Sequence, residues 1–130
     1  MLSPRRVLLA DDDLDVRAGV EELLAPLGLE VVLAESGVEA LVIARKRLPD
    51  LHLMVLDFHM PGLTGLDVLT SLRGETASLR VPPCIFYSGE ANDELRSRAL
   101  AAGACAFLRK PVQPLELREE VLRALHASRN

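Results

Sequence analysis

The chain has 130 residues and a net charge of −4, with 49% apolar and 26% charged residues. A chain of this size and composition is expected to fold as a single globular domain over residues 1–130. Direct binding to nucleic acid or to an anionic membrane surface is disfavoured, because both require clustered Lys and Arg. No apolar run approaches the roughly 20 residues that a membrane-spanning helix needs.

The two cysteines, Cys84 and Cys105, are too few for a disulfide framework and lack the spacing of a metal site. We expect both to be small buried residues of a reduced protein. The N-terminal segment lacks the apolar stretch of a secretory signal. Together these features predict a cytoplasmic location.

Short apolar segments recur along the chain and predict five β-strands, at residues 7–10, 29–34, 51–56, 84–87 and 104–108. Most of these segments are continuously apolar, which is typical of parallel strands covered on both faces. An amphipathic helical pattern follows each of them. The alternation predicts an α/β fold of type (βα)5, in which a parallel sheet carries helices on both faces.

Helix boundaries are indicated by capping and terminating residues. The first helix ends at Pro26-Leu27-Gly28, and the second begins with a capping box at Ser36 and Glu39 and runs to about Arg47. The remaining starts are indicated by Thr64 for the third helix, Asn92 or Asp93 for the fourth and Pro114 for the fifth.

Polar and charged residues follow four of the predicted strands at the edge where an open α/β sheet binds ligands. They are Asp11, Asp12, Asp13, Asp57, Ser88 and Lys110. Carboxylates grouped in one cleft repel each other, and a divalent cation relieves that repulsion. Oxygen-only ligands suit Mg²⁺, with Mn²⁺ as a substitute, and a lysine adds a point charge for a phosphoryl group. An ionised carboxylate in such a site can attack phosphorus.

These segments resemble the receiver domain of bacterial two-component response regulators. The similarity extends from Val7 to about Leu125 and is carried by the stretches around Asp11–Asp13, Asp57–Gly65, Ser88–Gly89 and Lys110–Pro111. The resemblance implies a flavodoxin-like fold with strand order 2-1-3-4-5. It implies a Mg-dependent phosphoacceptor rather than an enzyme, with no output domain in this chain.

Carried over by position, the resemblance implies a role for each residue at this edge. Asp57 corresponds to the phosphoryl acceptor and Lys110 to the lysine that pairs with the phosphate. The Lys110–Pro111 peptide bond corresponds to one that is cis in this family, which would direct the lysine inward. Asp11 and Asp12 correspond to the acidic pair that holds Mg²⁺ with Asp57 and the backbone carbonyl of His59, and Asp12 is the expected direct ligand.

Four further positions are expected to control the signal. Ser88 and Phe107 correspond to the switch residues, although Phe107 lacks the hydroxyl of the tyrosine that is common there. His59 and Glu90 occupy positions that tune the lifetime of the aspartyl phosphate; the alternative is that both are solvated side chains at the rim.

Three alternative functions remain open from the sequence. A haloacid-dehalogenase-type phosphatase would use Asp11 and Asp13, but it leaves Asp57 unexplained and lacks the acidic pair after the lysine. A flavin or nucleotide carrier would need a phosphate-binding loop where the aspartates stand. A receiver-like interaction module could act without phosphorylation.

The resemblance implies partners that the sequence does not identify individually. The expected phosphodonor is a sensor histidine kinase or a histidine phosphotransfer protein. The expected recipient of the signal is a downstream protein or a fused output domain, contacted through the fourth helix, the fifth strand and the fifth helix. Charged residues on or near that face could also pair in a homodimer; they are Arg96, Arg98, Arg109, Arg118 and Glu119.

Overall fold

The computed structural model describes residues 4–75, 81–90 and 92–127. The strands are β1 (Arg6–Ala10), β2 (Glu30–Ala34), β3 (Leu53–Asp57), β4 (Cys84–Ser88) and β5 (Ala106–Arg109). The α-helices are α1 (Leu14–Leu24), α2 (Gly37–Arg47), α3 (Gly65–Glu75), α4 (Asp93–Ala101) and α5 (Pro114–Ala127). In this described part of the chain, no helix has both the length and the apolar character needed to cross a membrane.

The five strands form one parallel sheet in the order β2-β1-β3-β4-β5. This confirms the predicted fold class and strand order. Successive residues of a strand point to opposite faces, so each strand serves two cores. Leu8 and Ala10 of β1 join the core beneath α2, α3 and α4, while Val7 and Leu9 join the core beneath α1 and α5.

The helix starts are stabilised by the predicted capping residues. Ser36 Oγ accepts a hydrogen bond from Glu39 N–H at 3.1 Å, and Asn92 Oδ1 accepts one from Leu95 N–H at 2.9 Å. Thr64 and Asp67 form a reciprocal pair at the start of α3. The capping box of α2 is incomplete, because the Glu39 carboxylate accepts from Glu35 N–H instead of from the cap residue.

Local turn geometry shifts several of the predicted boundaries. The helix α1 ends at Leu24 and continues as a 3-10 turn over Ala25–Leu27, since Pro26 cannot donate a helical hydrogen bond. A second 3-10 turn, Leu48–Asp50, delays the start of β3 to Leu53. The strands β3 and β4 each extend one residue beyond the predicted end, so that Asp57 and Ser88 are their last residues.

The expectation that both cysteines are buried is wrong for Cys105. Cys84 is fully buried in the core beneath α2–α4, whereas Cys105 is exposed. Cys105 lies just before the edge strand β5, which pairs with β4 on one side. Its backbone N–H, at 2.9 Å, and its Sγ, at 3.3 Å, both donate to the carbonyl of Cys84.

The close packing of α3 against the end of β3 depends on Gly65. A Cβ atom at this position would lie 2.4 Å from the Asp57 carbonyl oxygen and 3.1 Å from the Phe86 ring. Near the other end of the same helix, a Cβ atom at Gly74 would have no neighbour within 4 Å among the described residues, apart from its chain neighbours and the backbone of its own helix. The two glycines therefore differ in environment within one element.

We expect opposite effects on stability from Gly65→Ala and Gly74→Ala. The first should lower the free energy of unfolding by about 1–3 kcal/mol, because backbone atoms must move to admit the methyl group. The second should raise it by about 0.5–1 kcal/mol, because alanine restricts the unfolded chain and favours a helix. Urea unfolding of both variants tests this, and equal stabilities would contradict the close approach at Gly65.

Candidate functional site

The carboxyl-terminal edge of the sheet gathers the residues that the sequence singled out. Asp57 and Ser88 end β3 and β4, Asp11 directly follows β1, and Lys110 directly follows β5. Asp11, Asp57 and Ser88 are buried, while Asp12 is exposed and the Lys110 side chain is partly exposed. The parallel arrangement of the strands brings these segments together although nearly one hundred residues separate the first from the last.

Asp57 and Lys110 form the central ion pair of the site. Lys110 Nζ lies 3.1 Å from Asp57 Oδ2, and His59 N–H donates to Asp57 Oδ1 at 3.1 Å. The Lys110–Pro111 peptide bond is cis, as the resemblance implies. Each oxygen of the Asp57 carboxylate therefore has a donor from this chain.

Asp11 is held as firmly as Asp57. Its Oδ1 accepts from Asp13 N–H at 2.8 Å and its Oδ2 accepts from Tyr87 Oη–H at 2.6 Å. Lys110 Nζ lies 3.7 Å from the same Oδ2 atom. The ammonium group thus faces two buried carboxylates but is closer to Asp57.

Three carboxylates converge in a geometry suited to a cation. Single oxygen atoms of Asp11, Asp12 and Asp57 all lie within 4.8 Å of one another. A set of oxygen donors of this kind fits a hard divalent ion such as Mg²⁺. Asp13 instead caps α1, where its Oδ1 accepts from Asp15 N–H and Val16 N–H, which disfavours a phosphatase that would use Asp11 and Asp13 as its catalytic pair.

The environment of Asp57 disfavours its ionised form. Burial raises the pKa of the Asp57 carboxyl above its ordinary value, and the nearby Asp11 charge raises it further. The hydrogen bond and charge of Lys110 oppose these effects without cancelling them. Binding of a cation at this cluster would therefore relieve an unfavourable buried charge.

Ser88, at the end of β4, lies beside this cluster together with His59 and Glu90 on the loops after β3 and β4. Ser88 Oγ accepts a hydrogen bond from Glu90 N–H at 3.0 Å, and Lys110 N–H donates to the Ser88 carbonyl at 2.9 Å. The side chains of His59 and Glu90 are exposed. Both side chains are therefore accessible at the rim of the site.

The ring of Phe107 points inward. Phe107 is buried, and its ring makes an edge-to-face contact with that of Phe58 at a centroid distance of 5.3 Å. Phe58 directly follows Asp57 and also packs edge-to-face on Phe86. The aromatic cluster therefore connects the acidic pocket to β5, and Arg96 of α4 donates to the Phe107 carbonyl at 3.3 Å.

Tyr87 and Arg17 also contact the site, and neither was predicted from the sequence to do so. Arg17 is buried and donates to the Asp11 carbonyl at 2.8 Å. Its place in the sequence could have indicated this, because Arg17 is a charged residue on the apolar face of α1 that carries Val20 and Leu24. Tyr87 is the single tyrosine of the chain and directly precedes Ser88. Burial, together with the hydrogen bond to Asp11, raises the pKa of the Tyr87 phenol far above its ordinary value, so this hydroxyl stays protonated.

We expect Asp57→Asn to raise the melting temperature by several degrees at pH 7 without divalent cations. A carboxyl group whose pKa is raised on folding destabilises the folded state when it is ionised. This destabilisation disappears as the pH falls towards 3.8, the pKa of the carboxyl in the unfolded chain. The gain should therefore shrink between pH 7 and pH 4. Thermal unfolding across this range tests it, with Asp50→Asn at an exposed site as the control; a gain that is independent of pH would contradict it.

Comparisons with known proteins agree with this geometry. The family model described as the response regulator receiver domain matches residues 7–122. The transcriptional activator protein ExaE of Pseudomonas putida is 39% identical over 92% of this chain and 54% of its own length. The nitrate/nitrite response regulator protein NarL of Escherichia coli is 35% identical over 95% of this chain and 54% of its own length. The chain thus spans about half the length of these curated relatives.

Solved structures show the same architecture. The chemotaxis protein CheY4 of Vibrio cholerae superposes with a TM-score of 0.83 at 29% identity, covering 95% of this chain and 100% of that one. The receiver domain of Francisella response regulator 1452 superposes with a TM-score of 0.85 at 27% identity, covering 95% and 98%. The strand order, the acidic strand ends and these matches lead to one conclusion: the chain belongs to the response regulator receiver domain family of two-component signalling systems.

Proposed function

We propose that this receiver domain accepts a phosphoryl group on Asp57 in a Mg²⁺-dependent reaction. The observation that carries the proposal is the pairing of a buried, doubly hydrogen-bonded Asp57 carboxylate with the Lys110 ammonium beside two further carboxylates. The proposed donors are the phosphohistidine of a sensor histidine kinase or of a histidine phosphotransfer protein. In this role the domain is a phosphorylated signalling module and not a classical enzyme.

The geometry around Asp57 supports its role as the nucleophile. One carboxylate oxygen attacks phosphorus, so that a P–O bond forms to Asp57 while the P–N bond to the donor imidazole breaks. His59 N–H holds Oδ1 and Lys110 Nζ holds Oδ2, which fixes the orientation of the carboxylate before the donor arrives. Lys110 can then follow the developing charge onto the phosphoryl oxygens.

The proposed metal ligands are the carboxylates of Asp11, Asp12 and Asp57 together with the backbone carbonyl of His59. The first three already present oxygens within 4.8 Å of one another. Mg²⁺, or Mn²⁺ in its place, would supply charge neutralisation for the carboxylates and the phosphoryl oxygens. Asp12 is the exposed member of the cluster, and this exposure supports the proposal that its carboxylate binds the metal directly.

Phosphorylation is proposed to act on the face formed by α4, β5 and α5. The Ser88 hydroxyl and Lys110 would move towards the phosphoryl group, and the loop after β4 would follow. Phe107 packs against Phe58, the residue next to the acceptor, so its ring is placed to respond to this movement. The face would then bind a downstream protein, a fused output domain or a second copy of the domain.

We expect Mg²⁺-dependent addition of one phosphoryl group when the protein is incubated with acetyl phosphate. Intact mass spectrometry should detect the adduct in the parent protein and in Asp13→Asn, because Asp13 only caps α1 and asparagine also caps helices. The adduct should be absent from Asp57→Asn and from samples treated with a chelator. An adduct that survives Asp57→Asn would contradict the assignment of the acceptor, and complete inertness of the parent would favour an interaction module that acts without phosphorylation.

We expect the rim residues to set the lifetime of the aspartyl phosphate. His59 and Glu90 lie two residues beyond Asp57 and Ser88 and have exposed side chains, so both could affect the approach of water to a phosphoryl group on Asp57. Replacement of either residue by alanine should change the rate of hydrolysis several-fold without changing the site of phosphorylation. Loss of the phosphorylated mass is followed over time after donor removal, and rates equal to that of the parent would show that both are merely solvated.

A further inference from the structure

Tyr87 is built into both the core and the acidic pocket. Its ring is almost fully buried beneath α1 and α5, among side chains that include Leu117 and Val121. Its hydroxyl reaches the carboxyl-terminal edge of the sheet and donates to Asp11 Oδ2 at 2.6 Å. Tyr87 is not among the residues proposed to bind the metal or the phosphoryl group.

The Tyr87 hydroxyl donates a hydrogen bond to Asp11 Oδ2, the oxygen that Lys110 could otherwise bind. Lys110 Nζ is 3.1 Å from Asp57 Oδ2 and 3.7 Å from Asp11 Oδ2, so one ammonium stands between two carboxylates. Asp11 is inaccessible to solvent, and a buried carboxylate oxygen without a donor is strongly unfavourable. Without the hydroxyl, Asp11 Oδ2 would draw Lys110 away from Asp57.

The ring of Tyr87 also borders the ammonium. Lys110 Nζ lies 5.3 Å from the centroid of the ring, within the range of a cation–π contact. Phenylalanine at this position would retain this contact and the packing against α5. Tyr87→Phe therefore removes the hydroxyl alone.

We propose that Tyr87 is a positioning residue whose hydroxyl occupies Asp11 Oδ2 and thereby keeps Lys110 on Asp57, where the phosphoryl group arrives. The catalytic consequence rests on the proposed function. The position of Lys110 is a property of the unphosphorylated protein and can be examined by itself.

The first experiment is a crystal structure of Tyr87→Phe without phosphodonor, compared with the parent protein in the same crystal form. We expect Lys110 Nζ to move within hydrogen-bond distance of Asp11 Oδ2 and to leave Asp57. Lys110 remaining on Asp57, as in the parent, would overturn the proposal.

The second experiment measures the single-turnover rate of phosphorylation by acetyl phosphate at saturating Mg²⁺. Tyr87→Phe should reduce the rate about tenfold, the scale expected for loss of one hydrogen bond to a charged group. In an Asp11→Asn background the neutral side chain no longer attracts Lys110, so adding Tyr87→Phe should change the rate less than twofold. An equal loss in both backgrounds would indicate a merely structural role and overturn the proposal.

The combined results of the two experiments distinguish failure of this inference from failure of the proposed function. Thermal unfolding confirms that each variant is folded at the assay temperature. Movement of Lys110 in a protein that never accepts phosphate would support the positioning geometry while the proposed function fails. A phosphorylated parent with an unmoved Lys110 and an unchanged rate in Tyr87→Phe would overturn the inference and leave the proposed function standing.

Discussion

Two buried carboxylates that share one ammonium group are the constraint on which this site depends. Asp11 and Asp57 follow or end neighbouring strands, and both are almost inaccessible to solvent. Mutual repulsion and loss of hydration make two negative charges at this buried position unfavourable unless other groups compensate for them. The chain provides that compensation through backbone N–H groups, Tyr87 and Lys110. The remaining unfavourable negative charge favours a cation at this cluster, in agreement with the proposed function.

The alternation of side chains along the strands connects this one site to both helical layers. Tyr87 extends from the pocket into the core beneath α1 and α5, whereas Phe107 belongs to the core beneath α2–α4 and contacts Phe58, the residue after Asp57. A change of charge at Asp57 can therefore bias packing on either face of the sheet. This two-sided connection gives a physical basis for the proposed transmission of a signal from Asp57 to the surface of the domain.

The elements with strong local signals were predicted well, and those governed by turns were not. The capping residues Ser36 and Thr64 lie at the starts of α2 and α3, because a side-chain oxygen at that position satisfies free backbone N–H groups. The early end of α1 and the late start of β3 depend on short 3-10 turns that apolar periodicity does not reveal. Cys105 was expected to be buried because the two cysteines have neither the number for a disulfide framework nor the spacing of a metal site, but it lies before an edge strand and is exposed.

The sequence alone could predict the fold class, the sheet edge at which the candidate site lies and the residues that stand at the strand ends. It could do so because strand periodicity and chain order place every strand end of a parallel sheet on one side. The hydrogen bonds of the buried site depend instead on the three-dimensional arrangement: Lys110 lies closer to Asp57 than to Asp11, and Tyr87 donates to Asp11. Those choices depend on distances between residues far apart in the chain, which no local pattern encodes.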